Sequence, residues 1–266
     1  MEERLLSALE ANGVPRAGLT AEQLSAVDEF HVGGREATVA IAGQWKLTPG
    51  MRLLDVGCGI GGPARYFASV HRCDVTGIDL TDEFIRAAQS LTARVGLSDR
   101  AHFQQASALA LPFESGSFDG AYLFHVGMNI GDKRKLFAEI ARVLRPGSML
   151  VIFDFMRVGP EEFSFPVPWA GSPAESTVAS VEEYRAALAA AGFNVTAERS
   201  RREFALEFLE RMRKRAAESG ATALGPQLLM GADGPLKMRN VAESMQRHIL
   251  VPVELYAQAG AATARS

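Results

Sequence analysis

The hydrophobic rhythm of the chain changes near residue 50. Before it, apolar positions recur at helical spacing. "EERLLSALEA" stops at Asn12 and Gly13, and Thr20 with Gln23 forms a capping-box pattern opening "AEQLSAVDEF". "REATVAIAGQW" continues helically to the break at Thr48, Pro49 and Gly50. After it, short apolar runs alternate with amphipathic stretches. The pattern predicts strands at 51–57, at 73–79, and in "AHFQQA", "SFDGAYLFH" and "SMLVIFDF". Between them it predicts a helix from "PARYFAS", another opened by Thr81, and a third, "DKRKLFAEIARVL", stopped by Pro146 and Gly147. Strands separated by helices imply parallel pairing with right-handed crossovers.

Beyond residue 156 the alternation loosens. Pro160, Pro166 and Pro168 interrupt a long loop carrying Phe163, Phe165 and Trp169, which predicts a covering segment. Its aromatics either wall an apolar pocket or anchor the loop to the core. Ser180 with Glu183 opens a helix ending at Gly192, and "FNVTAERSR" is a sixth strand. Two helical stretches, "FALEFLERMRKRAAES" and "PLKMRNVAESMQRHI", flank a glycine-rich link. Met230, Met238 and Met245 read as packing, and "RMRKR" at 211–215 as a solvated helix face. A last strand at 250–258 and a frayed tail complete the chain. The expected fold is therefore α/β: a doubly wound, mostly parallel seven-stranded sheet. N-terminal helices over 1–50 form a flap, and 51–266 form one domain with a helical lid at about 203–248 before the last strand.

Composition narrows the function. The 266 residues carry a net charge of −3, with 47% hydrophobic and 22% charged residues, the balance of an ordinary globular domain. That charge leaves no basic footprint for nucleic acid or an anionic membrane. No apolar run approaches the ~20 residues that span a bilayer, and "MEERLLSALE" does not read as a signal peptide. Cys58 and Cys73 form no metal-like pair and fall in buried elements, which points to a reducing, cytoplasmic setting.

The candidate chemistry sits in "LLDVGCGIGG", residues 53–62. A glycine-rich turn between a strand and its helix lets a ligand approach the backbone at the carboxyl ends of the strands. Gly57, Gly59 and Gly62 satisfy the G-x-G-x-x-G spacing with Asp79 downstream, so a dinucleotide-binding oxidoreductase is one reading. Asp55 argues against it. It lies inside the strand just before Gly57, where a carboxylate repels a pyrophosphate and suits an ammonium group.

Four ordered segments carry a resemblance. "LLDVGCGIGGPARYFA", "VTGIDLT", "ALPFESGSFDGAYLFHV" and "FAEIARVLRPGSMLVI" resemble the motifs of class I S-adenosylmethionine-dependent methyltransferases of the small-molecule type. The resemblance covers residues 51 to about 156. It implies a Rossmann-like methyltransferase fold, S-adenosylmethionine as cofactor, and transfer of a methyl group to N or O of a small-molecule acceptor. Asp55, Gly57, Gly59 and Gly61 then stand at the acid and glycine positions of the first motif. Asp79, followed by Leu80, stands where an acid holds the ribose hydroxyls. Ser107 takes the place of an aspartate that often meets the adenine, with the backbone of Ala108 beside it. "DEFHVGGREAT" at 28–38 resembles a flap over the cofactor. A non-catalytic cofactor-binding regulator is a further reading, which the intact Asp55, glycine turn and Asp79 oppose.

In methyl transfer the cofactor supplies the reactivity, and the protein supplies alignment, dryness and, for a hydroxyl acceptor, a base. His125 directly follows the fourth strand, and its ordinary pKa suits a base. It is the catalytic candidate, with substrate positioning as the alternative. His31 reads as a surface or substrate-contact residue of the flap. Asp154 reads as ending the fifth strand, facing the crevice or capping the next turn. Asp74 and Asp119 read as structural. No metal site is expected, and no Asn/Asp-Pro-Pro-aromatic tetrad of nucleic-acid amino methyltransferases is present.

Overall fold

A computed structural model describes residues 1–219 and 230–260. Three N-terminal helices, α1 (Glu2–Ala11), α2 (Ala21–Asp28) and α3 (Gly34–Ala42), precede the sheet. The core then alternates: β1 (Arg52–Val56), α4 (Gly62–Val70), β2 (Asp74–Asp79), α5 (Asp82–Arg94), β3 (Ala101–Gln105) and β4 (Phe118–Phe124). Next come α6 (Lys133–Val143), β5 (Leu144–Arg157), α7 (Val181–Ala190) and β6 (Phe193–Ser200). Helices α8 (Arg202–Ser219) and α9 (Gly234–Gln246) lead into β7 (Leu250–Ala259).

The strands form a seven-stranded sheet in the order β3-β2-β1-β4-β5-β7-β6. The first five pair in parallel, and β7 runs antiparallel to both β5 and β6. Alternate residues of each strand feed opposite faces. Leu54 and Val56 join Leu136, Phe137, Ile140, Tyr184 and Leu188 of α6 and α7 on one side. Leu53 and Val75 join Ile41, Phe67, Ile85 and Ala88 of α3, α4 and α5 on the other. Helices on both faces leave the strand ends as the place for a crevice.

Both capping boxes form, at Thr20–Gln23 and Ser180–Glu183. Some expected boundaries differ. α6 ends at Val143, before Pro146 and Gly147, because Leu144 already pairs with Phe118 in the sheet. Thr81 makes no side-chain cap; Asp79 Oδ1 accepts the Thr81 N–H instead, at 2.9 Å. β5 runs on to Arg157, so Asp154 lies within the strand. The glycine-rich link and the outer tail, with part of the expected 203–248 lid, fall outside the described residues. What is described of that lid rests on the N-terminal segment and on β7. Arg211 of α8 meets Glu36 of α3 at 2.7 Å, and Val241 and Met245 of α9 pack with Ile249 and Leu250.

Candidate active site

At the carboxyl ends of β1, β2 and β4 a cavity of about 500 Å³ opens. Asp55, Gly57, Gly59, Asp79, Leu80, Ser107, Ala108 and His125 all line it. Gly61 does not. It holds φ +83° as the N-cap of α4, and a Cβ there would sit 2.7 Å from Phe103 and 2.9 Å from Arg65. Its bareness serves packing beneath the turn. Gly57, at φ +75°, is bare for a different reason: a Cβ would run into Val126, which follows β4 on the opposite wall.

The turn uses its own donors. Gly57 and Cys58 both donate to Ile78 O at 2.8 Å, and Gly59 donates to Asp79 Oδ2 at 3.1 Å. These amides are committed within the fold and do not form a phosphate cradle. What the turn presents to the cavity is acid. Asp55 is 2% exposed, and its Oδ2 has no hydrogen-bond partner. Burial pushes its pKa up to about 8, which the neighbouring Tyr122 hydroxyl offsets only in part. A buried carboxylate without a counter-ion is the complement of a ligand ammonium group. Asp79 uses one lone pair of each oxygen on Gly59 and Thr81, leaving the others for a ligand's hydroxyls. Leu80, 67% exposed, is an apolar rim on the same side. Ser107 keeps its hydroxyl turned to the Leu109 N–H at 3.2 Å. The residues present therefore fit S-adenosylmethionine: an acid for the amino group, an acid for the ribose, and an apolar rim with a hydroxyl for the base.

The far wall holds His125, His31, Phe30, Phe124, Val126 and Ile130. His125 sits at φ +56°, held by its N–H donating to Phe153 O at 2.7 Å. Burial and the nearby His31 push its pKa well below the usual value. His31 corrects the surface half of the sequence reading: it is 5% exposed and lines the cavity, where a substrate contact would lie, and its ring is 6.1 Å from that of His125. Asp154 is a second correction. It caps neither the following turn nor faces the crevice; its Oδ2 accepts Met128 N–H at 2.9 Å and Tyr184 O–H at 2.7 Å. It thus pins the 3-10 turn Gly127–Asn129, whose Asn129 lines the cavity. A Cβ on Gly127 would lie 2.6 Å from both Asp154 Oδ2 and the Tyr184 hydroxyl.

The covering loop anchors rather than lines. Phe163 lies 4.7 Å from Phe165, Trp169 stacks on Phe155 at 5.1 Å, and the three pack with Met245 and Ile249. Asp74 pairs with Arg100 at 3.0 Å, and Asp119 accepts the Arg52 N–H at 2.8 Å, both away from the cavity. Among the described residues no cluster of metal-ligating side chains occurs.

Sequence reasoning missed the tie beneath this wall. Asp28, at the end of α2, meets Arg65 of α4 at 2.7 Å with both side chains fully buried. Arg65 also donates to Ile60 O at 2.7 Å and Thr92 Oγ1 at 2.9 Å. The only signal was a charged residue inside the apolar helix "PARYFA".

Residues 54–152 match the family model described as a methyltransferase domain. An O-methyltransferase (cnsE) of Penicillium expansum is 38% identical over 152 residues, spanning 56% of this chain and 55% of that protein. The 27-O-demethylrifamycin SV methyltransferase of Amycolatopsis mediterranei is 35% identical, spanning 58% of each. The chain thus spans little more than half the length of these curated relatives. A Haemonchus contortus phosphoethanolamine N-methyltransferase 2 shares the fold with a TM-score of 0.75 at 20% identity, over 96% of this chain and 60% of that one. The cyclase SpnF shares it too, at 0.65 and 21%, over 97% and 93%, so the fold alone does not fix the reaction. The matches support the methyltransferase reading and not the dinucleotide one: residues 54–152 carry a methyltransferase domain, and the relatives it resembles are S-adenosylmethionine-dependent methyltransferases.

Proposed function

We propose that the chain transfers a methyl group from S-adenosylmethionine to an oxygen or nitrogen of a small molecule. The observation that carries this is the buried, unpartnered Asp55 carboxylate facing a cavity that Asp79 and His125 share. Asp55 binds the amino group, Asp79 takes the ribose hydroxyls, and Leu80, Ser107 and Ala108 border the adenine. Gly57 and Gly59 let the ligand lie close to the turn. When bound, S-adenosylmethionine supplies an electrophilic methyl group for in-line displacement. The protein's task is to exclude water, aim the acceptor and manage its proton. The O-methyltransferase relatives favour oxygen. No helix among the described residues is long and apolar enough to cross a membrane. The two cysteines are free and buried, which supports a cytoplasmic location. The net charge of −3 speaks against a nucleic-acid substrate.

The test has two parts. S-adenosylhomocysteine near a millimolar raises the melting midpoint by mass action on the folded state, while a nicotinamide dinucleotide leaves it unmoved. Labelled S-adenosylmethionine then transfers label to one class among phenols, alcohols, amines and carboxylates. A shift with the dinucleotide alone refutes the cofactor assignment.

A further inference from the structure

Two histidines share the acceptor wall of the cavity, and their surroundings are opposite. The His125 ring lies against Phe153 and Phe155, with centroids at 4.9 Å in each case, and its Nε2 is buried without a partner. The charged neighbour that acts on it is His31, which opposes a second positive charge. A proton arriving on His125 meets no anion.

His31 has one. Its Nε2 lies 3.0 Å from Gly34 O, 3.1 Å from Thr38 Oγ1 and 3.5 Å from Glu29 Oε2. A carbonyl oxygen only accepts, so Nε2 carries the proton and Nδ1 keeps the lone pair. Thr38 donates its hydroxyl proton to Glu29 Oε2 and so accepts from Nε2. Arg35 holds the other Glu29 oxygen and opposes the burial that raises the Glu29 pKa. The charged and titratable groups around His31 are thus Glu29, Asp28 and Arg35 from its own segment and His125 just after β4. Gly34 and Thr38 belong to α3, so the helix start and the acid together fix the ring's tautomer.

Resting on the methyl-transfer reading above, we propose that His31 is the general base of this enzyme. It takes the proton of a neutral hydroxyl acceptor, an alcohol or phenol on an apolar body; Glu29 and Thr38 are its positioning residues, and His125 orients the acceptor. The acceptor O–H bond breaks and its proton passes to His31 Nδ1. The oxygen's electron pair forms the new O–C bond as the donor's C–S bond breaks with its pair left on sulfur, giving a methyl ether and S-adenosylhomocysteine. The imidazolium charge is met by Glu29 through the other ring nitrogen, and the proton then leaves to water. Phe30, Phe124, Val126 and Ile130 supply the apolar wall such an acceptor needs. Burial holds the His31 pKa down to about 4, which keeps the ring unprotonated throughout the neutral range but makes it a weak base, so proton transfer accompanies O–C bond formation and does not precede it.

Nitrogen-15 NMR of the histidines and kinetics with labelled S-adenosylmethionine test this, using phenol and 4-nitrophenol as acceptors. In the free protein His31 gives the Nε2–H tautomer, and Glu29→Gln shifts its titration to lower pH. His31→Gln lowers kcat for phenol about 100-fold or more, while calorimetric affinity for S-adenosylhomocysteine is unchanged. That loss shrinks with 4-nitrophenol, which arrives largely ionised. His125→Gln instead raises the acceptor KM with a smaller change in kcat. An Nδ1–H tautomer at His31, or full turnover of phenol by His31→Gln, overturns the assignment. Neither phenol reacting with the intact protein, while S-adenosylhomocysteine binds and an amine is methylated, overturns the hydroxyl class and leaves methyl transfer standing. No binding of S-adenosylhomocysteine at all is the failure of the underlying reading.

Discussion

At the glycine-turn end of the cavity Asp55 and Asp79 come from one short stretch, Asp55 to Thr81, with Asp28 of α2 reaching in beside Gly62, and the turn's amides are held by its own backbone and by Asp79. At the histidine end the groups come from three distant segments: Glu29–Thr38, Phe124–Ile130 and, behind them, Phe153–Phe155. The first end is a local device. Two parallel strands and one tight turn bring Asp55 and Asp79 together. The second exists only once the N-terminal helices have docked. A general cofactor can be met by the local device, and a particular acceptor by the assembled one, so the fold separates what is shared from what is specific.

The largest expected effect comes from cutting the tie between the two ends. Asp28→Asn leaves Arg65 buried with its charge uncompensated, a change that costs about 3–5 kcal/mol. At about 2–4 °C per kcal/mol for a chain of this size, the melting midpoint falls by roughly 6–20 °C. The double variant Asp28→Asn with Arg65→Met, which removes both charges together, is milder. Calorimetric melting of the two variants decides this; equal losses would mean the pair acts through packing, not charge.

What was legible in the sequence follows the same division. Asp55, Gly57, Gly59, Asp79, Leu80, Ser107 and Ala108 reach one cavity because strand ends and a glycine turn are local features with local signatures. Gly61 shares the motif yet faces Phe103 and Arg65, because the motif's spacing does not say which glycine meets ligand and which meets the neighbouring strand. Glu29 and the Asp28–Arg65 pair were not legible, and His31 only as a flap residue, since nothing in "DEFHVGGREAT" says that its acids are buried. Asp154 was misread because β5 extends to Arg157, where it pairs with β7, a strand from the far end of the chain.

Smaller, and confined to the local end, is the loss of the ribose acid. Asp79→Ala removes a charged acceptor worth about 1.5–3 kcal/mol, which is roughly a tenfold to hundredfold loss of S-adenosylhomocysteine affinity. It also frees the Gly59 and Thr81 N–H groups that the carboxylate holds. Asp79→Asn is milder because its amide oxygen still accepts. Acceptor KM, measured at saturating cofactor, stays near that of the intact protein if the two ends are as separate as their construction suggests. A KM that rises as much as the cofactor constant would join them into one device.

The smallest effect is read in protons, and it sets one buried carboxylate of each end against the other. Burial raises Asp55 to about 8 and Asp154 to about 7, above an ordinary value of 3.8. A folded-state pKa above the unfolded one means that the folded chain keeps a proton the unfolded chain has lost. The associated stability is whole below pH 4 and is lost as pH rises through about 7 for Asp154 and about 8 for Asp55. Asp154→Asn cannot ionise and still offers an oxygen to Met128 or Tyr184, so it loses less stability than the intact protein between pH 5 and 8. S-adenosylhomocysteine acts on the other carboxylate. Its ammonium group favours ionised Asp55, so binding at pH 7 releases a proton from Asp55 and none from Asp154. Titration calorimetry in two buffers of different ionisation enthalpy reads that proton directly. Its loss in Asp55→Asn and its persistence in Asp154→Asn assign it to the glycine-turn end; the reverse pattern would show that cofactor binding is felt through the turn that Asp154 pins, and that the two ends are coupled.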